Sequence, residues 1–368
     1  MTAASRSASS DRTIDPERTE HPAPLPWKRR AAAALAGAML ASISAEIVVR
    51  QIYYVPWEID PEFGCIVKPG TTARYRLEGN GVSRWTANGV RAAAPVDPAR
   101  KPILVLGDSF TEAYQVSDED TYTRCLESEL RASAIEAPVV NAGRSGASPA
   151  DYVADVERNV RRFNPRWVVV QLNEEDLTGD AWRADKAHFS FEHGRLVANP
   201  APPKAQSAIA RFVWSARQRS ALLNYGIIRL QQFARAFDTA PPLFSAAGPR
   251  PADGEPCSYA DVDVAAQLGA VATAYRDRVT FLLLPPFDPF VPMRRTSVEE
   301  AFRTACRFHG WSCLSLRSEY DRFAAEHTSP YGFPNSGFNV GHMNPLGHKV
   351  AADLLARELR RLHTDALL

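Results

Sequence analysis

The chain has 368 residues, of which 45% are hydrophobic and 23% charged, with a formal net charge of +1. That length holds one large or two small domains with a sizeable buried core. Basic residues are scattered and never interleaved with aromatics, which argues against a nucleic-acid partner. There is no P-loop, dinucleotide fingerprint, Cys-x-x-Cys pair or His-Glu-x-x-His, so neither a metal nor a cofactor is expected.

Residues 1–26 are polar and rich in Ser, Thr, Pro, Glu and Arg, and read as a disordered tail. Lys28-Arg29-Arg30 then precedes an uncharged run from Ala31 to Ala45, with Ile47-Val48-Val49 beyond Glu46. A helix over roughly 19 residues spans about 28 Å, close to the thickness of a bilayer core. Trp27 on one side and Tyr53, Tyr54 and Trp57 on the other are expected at the interfaces. Segment 27–57 is thus expected to be a single-pass membrane anchor with a cytoplasmic N-terminus and an exported domain. Ser42-x-Ser44 leaves a cleaved signal peptide open, and the alanine-rich composition leaves a soluble helix open. Residues 58–100 form a lead-in segment.

The next block is the most informative. Ile103-Leu104-Val105-Leu106 reads as a buried strand, and Gly107-Asp108-Ser109-Phe110 as the tight turn that ends it. A serine at the C-terminal edge of such a strand stands where open α/β sheets place their ligands. Helix Asp118–Arg131 and the short strand Val139–Val140 follow. Next come the loop Asn141-Ala142-Gly143-Arg144-Ser145-Gly146 and a helix Pro149–Phe163 capped by Ser148. Strand Trp167–Leu172 leads into Asn173-Glu174-Glu175-Asp176. The alternation then breaks for an insertion over about 180–256, helical around Ser220–Phe237. Helix Tyr259–Tyr275, strand Val279–Leu284 and helix Val298–Phe308 resume it. Asn344-Pro345 opens the final helix as N-cap and first-turn proline, leaving His342 in the loop before it. Alternating short apolar strands and helices predict a doubly wound parallel sheet between helical layers. Cys306 and Cys313 suit a disulfide that bridges a helix end to the next strand in an oxidising compartment, whereas Cys125, on an apolar helix stripe, reads as core.

The blocks around Ser109 and His342 resemble those of the SGNH hydrolases, the GDSL esterase/lipase family, and the resemblance covers roughly Lys101 to the C-terminus. It implies a flavodoxin-like three-layer sandwich over 101–364, with Ser109 as nucleophile and His342 as its base. The backbone N–H groups of Ser109 and Gly146 are the implied oxyanion donors, with Gly143 the other candidate glycine. Two positions depart from the family pattern. In its third block, Gly-x-Asn-Asp, Glu175 stands at the Asn, and a carboxylate cannot donate unless protonated; Asn173 is the candidate replacement. In its last block Asn339 stands at the Asp, so Asn339 is expected to orient His342 without lending it charge. Asp108 is expected to brace the turn. Upstream, Thr86-Ala87-Asn88-Gly89-Val90-Arg91 resembles a lead-in of membrane-tethered members. The implied function is a serine esterase or deacylase acting on an acylated carbohydrate or lipid ester of the cell envelope. A sugar O-acetyltransferase using the same residues and a catalytically weak scaffold subunit remain open.

Overall fold

The computed structural model describes residues 26–60, 64–178, 188–192, 195–199, 208–236, 263–291, 293–365 and 367–368. The chain divides into two compact units, Met1–Ala45 and Glu46–Leu368. Helix α1 (Trp27–Ile52) has a mean hydropathy of 1.9 over its apolar window. Among the described residues it alone is long and apolar enough to cross a membrane.

The end of the expected anchor and the lead-in segment together form strands β1 (Tyr53–Tyr54), β2 (Trp57–Asp60), β3 (Gly64–Val67), β4 (Thr72–Tyr75) and β5 (Gly81–Arg84). β2 and β3 make an antiparallel hairpin, while β4 pairs antiparallel with both β1 and β5. These elements correct the expectation of an aromatic belt after the apolar run. Tyr53 is buried and meets Tyr75 at 5.8 Å, and Trp57 sets its edge against Tyr114 at 5.8 Å. The rings serve a small protein core, with Val55, Val67, Ala73 and Trp85 around them.

The larger domain begins with β6 (Ile103–Leu106), α2 (Ser109–Glu112), α3 (Tyr122–Ala132) and β7 (Val139–Asn141). It continues through α4 (Pro149–Ala154), α5 (Val156–Phe163), β8 (Trp167–Asn173) and α6 (Glu174–Thr178). The insertion contributes the antiparallel hairpin β9 (His188–Glu192) and β10 (Arg195–Asn199), then α7 (Ala208–Arg219) and α8 (Ala221–Ala236). The rest of the expected insertion, like the expected tail, lies outside the described residues. Then follow α9 (Val264–Ala274), β11 (Val279–Leu284), α10 (Ser297–His309), β12 (Ser312–Ser315) and α11 (Arg317–Ala325). The chain closes with the hairpin β13 (Tyr331–Phe333) and β14 (Gly337–Met343), and α12 (Pro345–Thr364).

Five strands form one parallel sheet in the order β12-β11-β8-β6-β7. Counted along the chain this is 2-1-3-4-5 read from the β7 edge, the flavodoxin-like order of a doubly wound sheet. Alternate residues feed the two faces. Leu104, Val168, Val170, Phe281 and Leu283 pack with residues of α4, α5, α9 and α10. Ile103, Val105, Val169, Leu282 and Leu284 pack with residues of α3, α11 and α12.

Three local differences from the sequence reading have physical causes. The single helix over 149–163 is two, broken at Asp155, although the Ser148–Asp151 capping box starts it as expected. Strand β12 is the strand expected at Cys313 after helix Val298–Phe308, but nothing marked its bounds, because Ser-Cys-Leu-Ser is too short and polar to show a strand period. His342 lies on β14, not in a loop, because Gly341 with φ +83° lets the strand run on around the close approach of another segment. Cys306 and Cys313 are disulfide-bonded, and Cys125 is half-buried.

Candidate active site

Ser109 is the first residue of α2, directly after the β6 turn. Asp108 caps that turn, its Oδ1 accepting the Phe110 N–H at 2.9 Å. The Ser109 hydroxyl is thereby carried at the strand's C-terminal edge, half-exposed. His342 reaches it from β14, with Nε2 3.0 Å from Ser109 Oγ. The Phe110 ring lies 5.1 Å from the imidazole and edge-on to Tyr331, so the pair sits against an aromatic wall.

The partner on the far side of the imidazole comes from the lead-in segment. Glu78, in the turn between β4 and β5, places Oε2 2.8 Å from His342 Nδ1, and its Oε1 accepts the His342 backbone N–H. A carboxylate at Nδ1 fixes the proton there and leaves the Nε2 lone pair facing Ser109. Burial works against the charge on Glu78. The hydrogen bonds from His342, with a further one from Gln115, outweigh it and hold the carboxyl below its ordinary value.

Several contacts hold that turn in place. Asn335 Oδ1 accepts the Gly79 N–H at 2.8 Å, and its Nδ2 donates to the carbonyls of Arg76 and Gly79. A Cβ on Gly341 would land on the Glu78 carboxylate, so β14 needs glycine at this point for space as well as for its φ of +83°.

The loop after β7 forms a turn closed by the Ala147 N–H on the Arg144 carbonyl at 2.9 Å. Gly146 occupies its third position with φ +72°, the glycine site of a type II turn. Glu112, at the end of α2, accepts from both the N–H and the hydroxyl of Ser145 and so ties this turn to the helix that begins at Ser109. The Gly143 N–H is spent on Asn141 Oδ1 at 3.0 Å. Among the described residues the N–H groups of Ser109 and Gly146 have no protein acceptor.

Asn173, the last residue of β8, donates from Nδ2 to Asp108 Oδ2 at 2.9 Å. Its backbone N–H goes to Asp176 Oδ2 and its Oδ1 accepts the Asp176 N–H, both at 2.9 Å. Burial pushes the Asp108 carboxyl up to about 6 against the hydrogen bond from Phe110. Burial, then the charge of Asp108, raises Asp176 as well.

The match to a family model now has a geometry to set beside it. The model of the GDSL-like lipase/acylhydrolase family matches residues 105–350. The chain belongs to this family. No curated protein matches the sequence. Among solved structures, an α/β hydrolase from the metagenome of Lake Arreo, Spain, is 18% identical, with a TM-score of 0.37 over 70% of this chain and 95% of its own. An acetylxylan esterase of Geobacillus stearothermophilus is 13% identical at a TM-score of 0.37, over 70% of this chain and 94% of its own. A two-domain esterase active on acetylated mannans is 13% identical at 0.35, over 72% of this chain and half of its own.

This acylhydrolase is an ester-hydrolysing enzyme, and its departures from the family blocks can be placed. Asn339, expected to orient the imidazole, does not: its Oδ1 accepts the Ser329 hydroxyl at 2.8 Å, and Glu78 stands at Nδ1 in its stead. Glu175 is exposed on α6, while Asn173 is beside Asp108. Glu78 was missed because nothing local marks it. The signal was indirect: with an amide at the last block's acid position, a carboxylate was owed from elsewhere. Among the described residues no group of three or more His, Cys, Asp or Glu is placed to hold a metal ion.

Proposed function

We propose that this acylhydrolase is a serine esterase working through an acyl-enzyme on Ser109, with His342 as general base and Glu78 as the acid of the triad. The observation that carries this reading is the continuous chain Ser109 Oγ–His342 Nε2 and His342 Nδ1–Glu78 Oε2, at 3.0 and 2.8 Å. Ser109 attacks the acyl carbonyl as His342 takes its proton, and the imidazolium that forms lies against the Glu78 carboxylate. His342 then protonates the leaving alkoxide, and a water activated by the same imidazole releases the acid. The N–H groups of Ser109 and Gly146 receive the oxyanion, and Asn173 adds the N–H that it does not spend on Asp108. Each such donor contributes about 3–4 kcal/mol in the transition state.

The carboxylate at Nδ1 favours an active enzyme over a scaffold, since the scaffold reading leaned on the Asn339 and Glu175 departures and Glu78 makes good the first of them. Location behind an apolar N-terminal helix supports an acylated carbohydrate or lipid ester of the envelope as substrate, with the catalytic domain exported and α1 as anchor. The test is labelling of the full chain with a fluorophosphonate probe. Wild type should label and Ser109→Ala should not; equal labelling of both refutes Ser109 as nucleophile.

A further inference from the structure

The insertion helices α7 and α8 show an apolar surface that neither the sheet nor the lead-in segment covers. Tyr225 and Ile228 on one face of α8 pack into the lead-in core. The other face carries Leu223, Gly226, Leu230 and Phe233, three or four residues apart and therefore in one stripe. Leu230 is 67% exposed and Phe212 on α7 is 74% exposed. Across 208–236 there are five arginines (Arg211, Arg217, Arg219, Arg229 and Arg235) and no Asp or Glu.

The stripe starts where α1 ends. Glu46, one residue beyond the uncharged run, accepts the N–H groups of Ala221 and Leu222 and the Ser220 hydroxyl, all within 2.9 Å. Arg50, on the next turn, donates to the Arg219 carbonyl at 3.0 Å. The last turns of α1 thus cap the N-terminus of α8, and the carboxylate meets the positive end of its dipole. A charge at the end of an apolar run is thereby given a fixed partner, and α8 is tethered to the same point in the chain.

We propose that α7 and α8 lie on the surface of a bilayer containing anionic phospholipid, with Phe212, Leu223 and Leu230 entering the acyl-chain boundary and the exposed Arg219 meeting headgroup phosphates. The proposal rests on α1 being a membrane span. A helical pair with exposed apolar side chains, uniformly positive charge and a tether at a membrane boundary has the composition of an interfacial element.

The test uses the full chain in liposomes of tritiated phosphatidylglycerol and phosphatidylcholine, with the photo-crosslinker p-benzoylphenylalanine placed singly at Leu40, Leu223, Leu230 or Phe308. Leu40 reports the span, and Phe308, 83% exposed on α10, reports background. Lipid adducts are expected at Leu40, Leu223 and Leu230, at least about tenfold above Phe308. Replacing the exposed Arg219 by Gln should lower the phosphatidylglycerol share of the Leu230 adduct by about threefold or more. Lipid adducts at Leu40 with none at Leu223 or Leu230 overturn the proposal and leave the span standing. Protein adducts at Leu223 or Leu230 overturn it in favour of a protein partner. Absence of lipid at Leu40 overturns the span and the proposal with it.

Discussion

The acid of the proposed triad is the residue on which the site's chemistry turns. Gln in place of Glu78 keeps the size and shape of the side chain but has only one acceptor oxygen for two donors, the ring Nδ1–H and the His342 backbone N–H. Its amide then faces a donor, which favours the wrong tautomer and offers the imidazolium no charge. Glu78→Gln should lower kcat by about 10³–10⁴-fold with little change in KM. Steady-state kinetics with a short activated ester checks this, and a loss below about tenfold would show that another group orients the ring. Asn339→Asp tests the same point from the other side. Asn339 has φ +56°, which Asp tolerates, and its Oδ1 contact with the Ser329 hydroxyl suits a carboxylate equally. Its kcat should stay within about twofold of wild type, whereas about a tenfold gain or more, at least 1.4 kcal/mol, is what a ring-facing residue would give.

At the scale of elements, β14 and α12 each make a prediction. Gly341→Ala on β14 introduces a Cβ where the Glu78 carboxylate lies, at a positive φ. It should cost about 1–3 kcal/mol in stability and also lose most of the kcat that Glu78 supports. A folded Gly341→Ala enzyme of wild-type activity would mean that the two hairpins can separate without consequence. On α12, His348 is buried and neutral, its Nδ1 accepting the Tyr122 N–H at 3.3 Å. Burial lowers its pKa from 6.5 to about 3. The unfolded chain therefore binds more protons than the native one between these values. The stabilisation is present in full above pH 6.5 and is lost as the pH falls, by about 1.4 kcal/mol per unit. His348→Asn keeps an acceptor for Tyr122 without titrating. Denaturant titrations between pH 6 and 4 should show a flatter acid limb for the variant by about that slope, and parallel limbs would contradict it. The elements themselves were legible wherever apolar periodicity was strong: the strands at 103–106, 167–173 and 279–284 and the helix after Asn344. The β13–β14 hairpin and α11 were missed, and β12 was expected without bounds; these strands are short and polar or rich in glycine, and take their form from neighbours instead of from their own period.

At the scale of the molecule, the lead-in segment and the sandwich form one unit, and Arg91 is the main polar tie between them. Its guanidinium is 4% exposed and donates to the carbonyls of Glu112, Ala113 and Val116 and to Asp118. These acceptors belong to the segment following the nucleophile's turn. Arg91→Met takes this buried donor from the three carbonyls and leaves Asp118 with Arg84 alone, which costs about 3–5 kcal/mol. Calorimetry should show the lead-in and the sandwich melting together at a midpoint lower by about 5–10 °C. Two separate transitions would show that the segment is an independent module. The strands of the sheet, and the blocks that carry the proposed nucleophile and its histidine, were legible because each is written in a short contiguous stretch. The sequence could not disclose Glu78, since that contact joins residues 264 apart and depends on two turns meeting.

That separation has a meaning for the life of the chain. Residues of the proposed triad arrive in the order Glu78, Ser109, His342, so the first must wait for a partner 264 positions further along the chain. Closing so long a loop is entropically costly and is repaid only when the sandwich between its ends is built. A truncated or half-folded chain can carry a serine in a well-formed turn and still have no charge relayed to it. Hydrolytic competence in this enzyme is therefore a proof of completed folding, issued when the C-terminal hairpin docks on a turn that was translated long before.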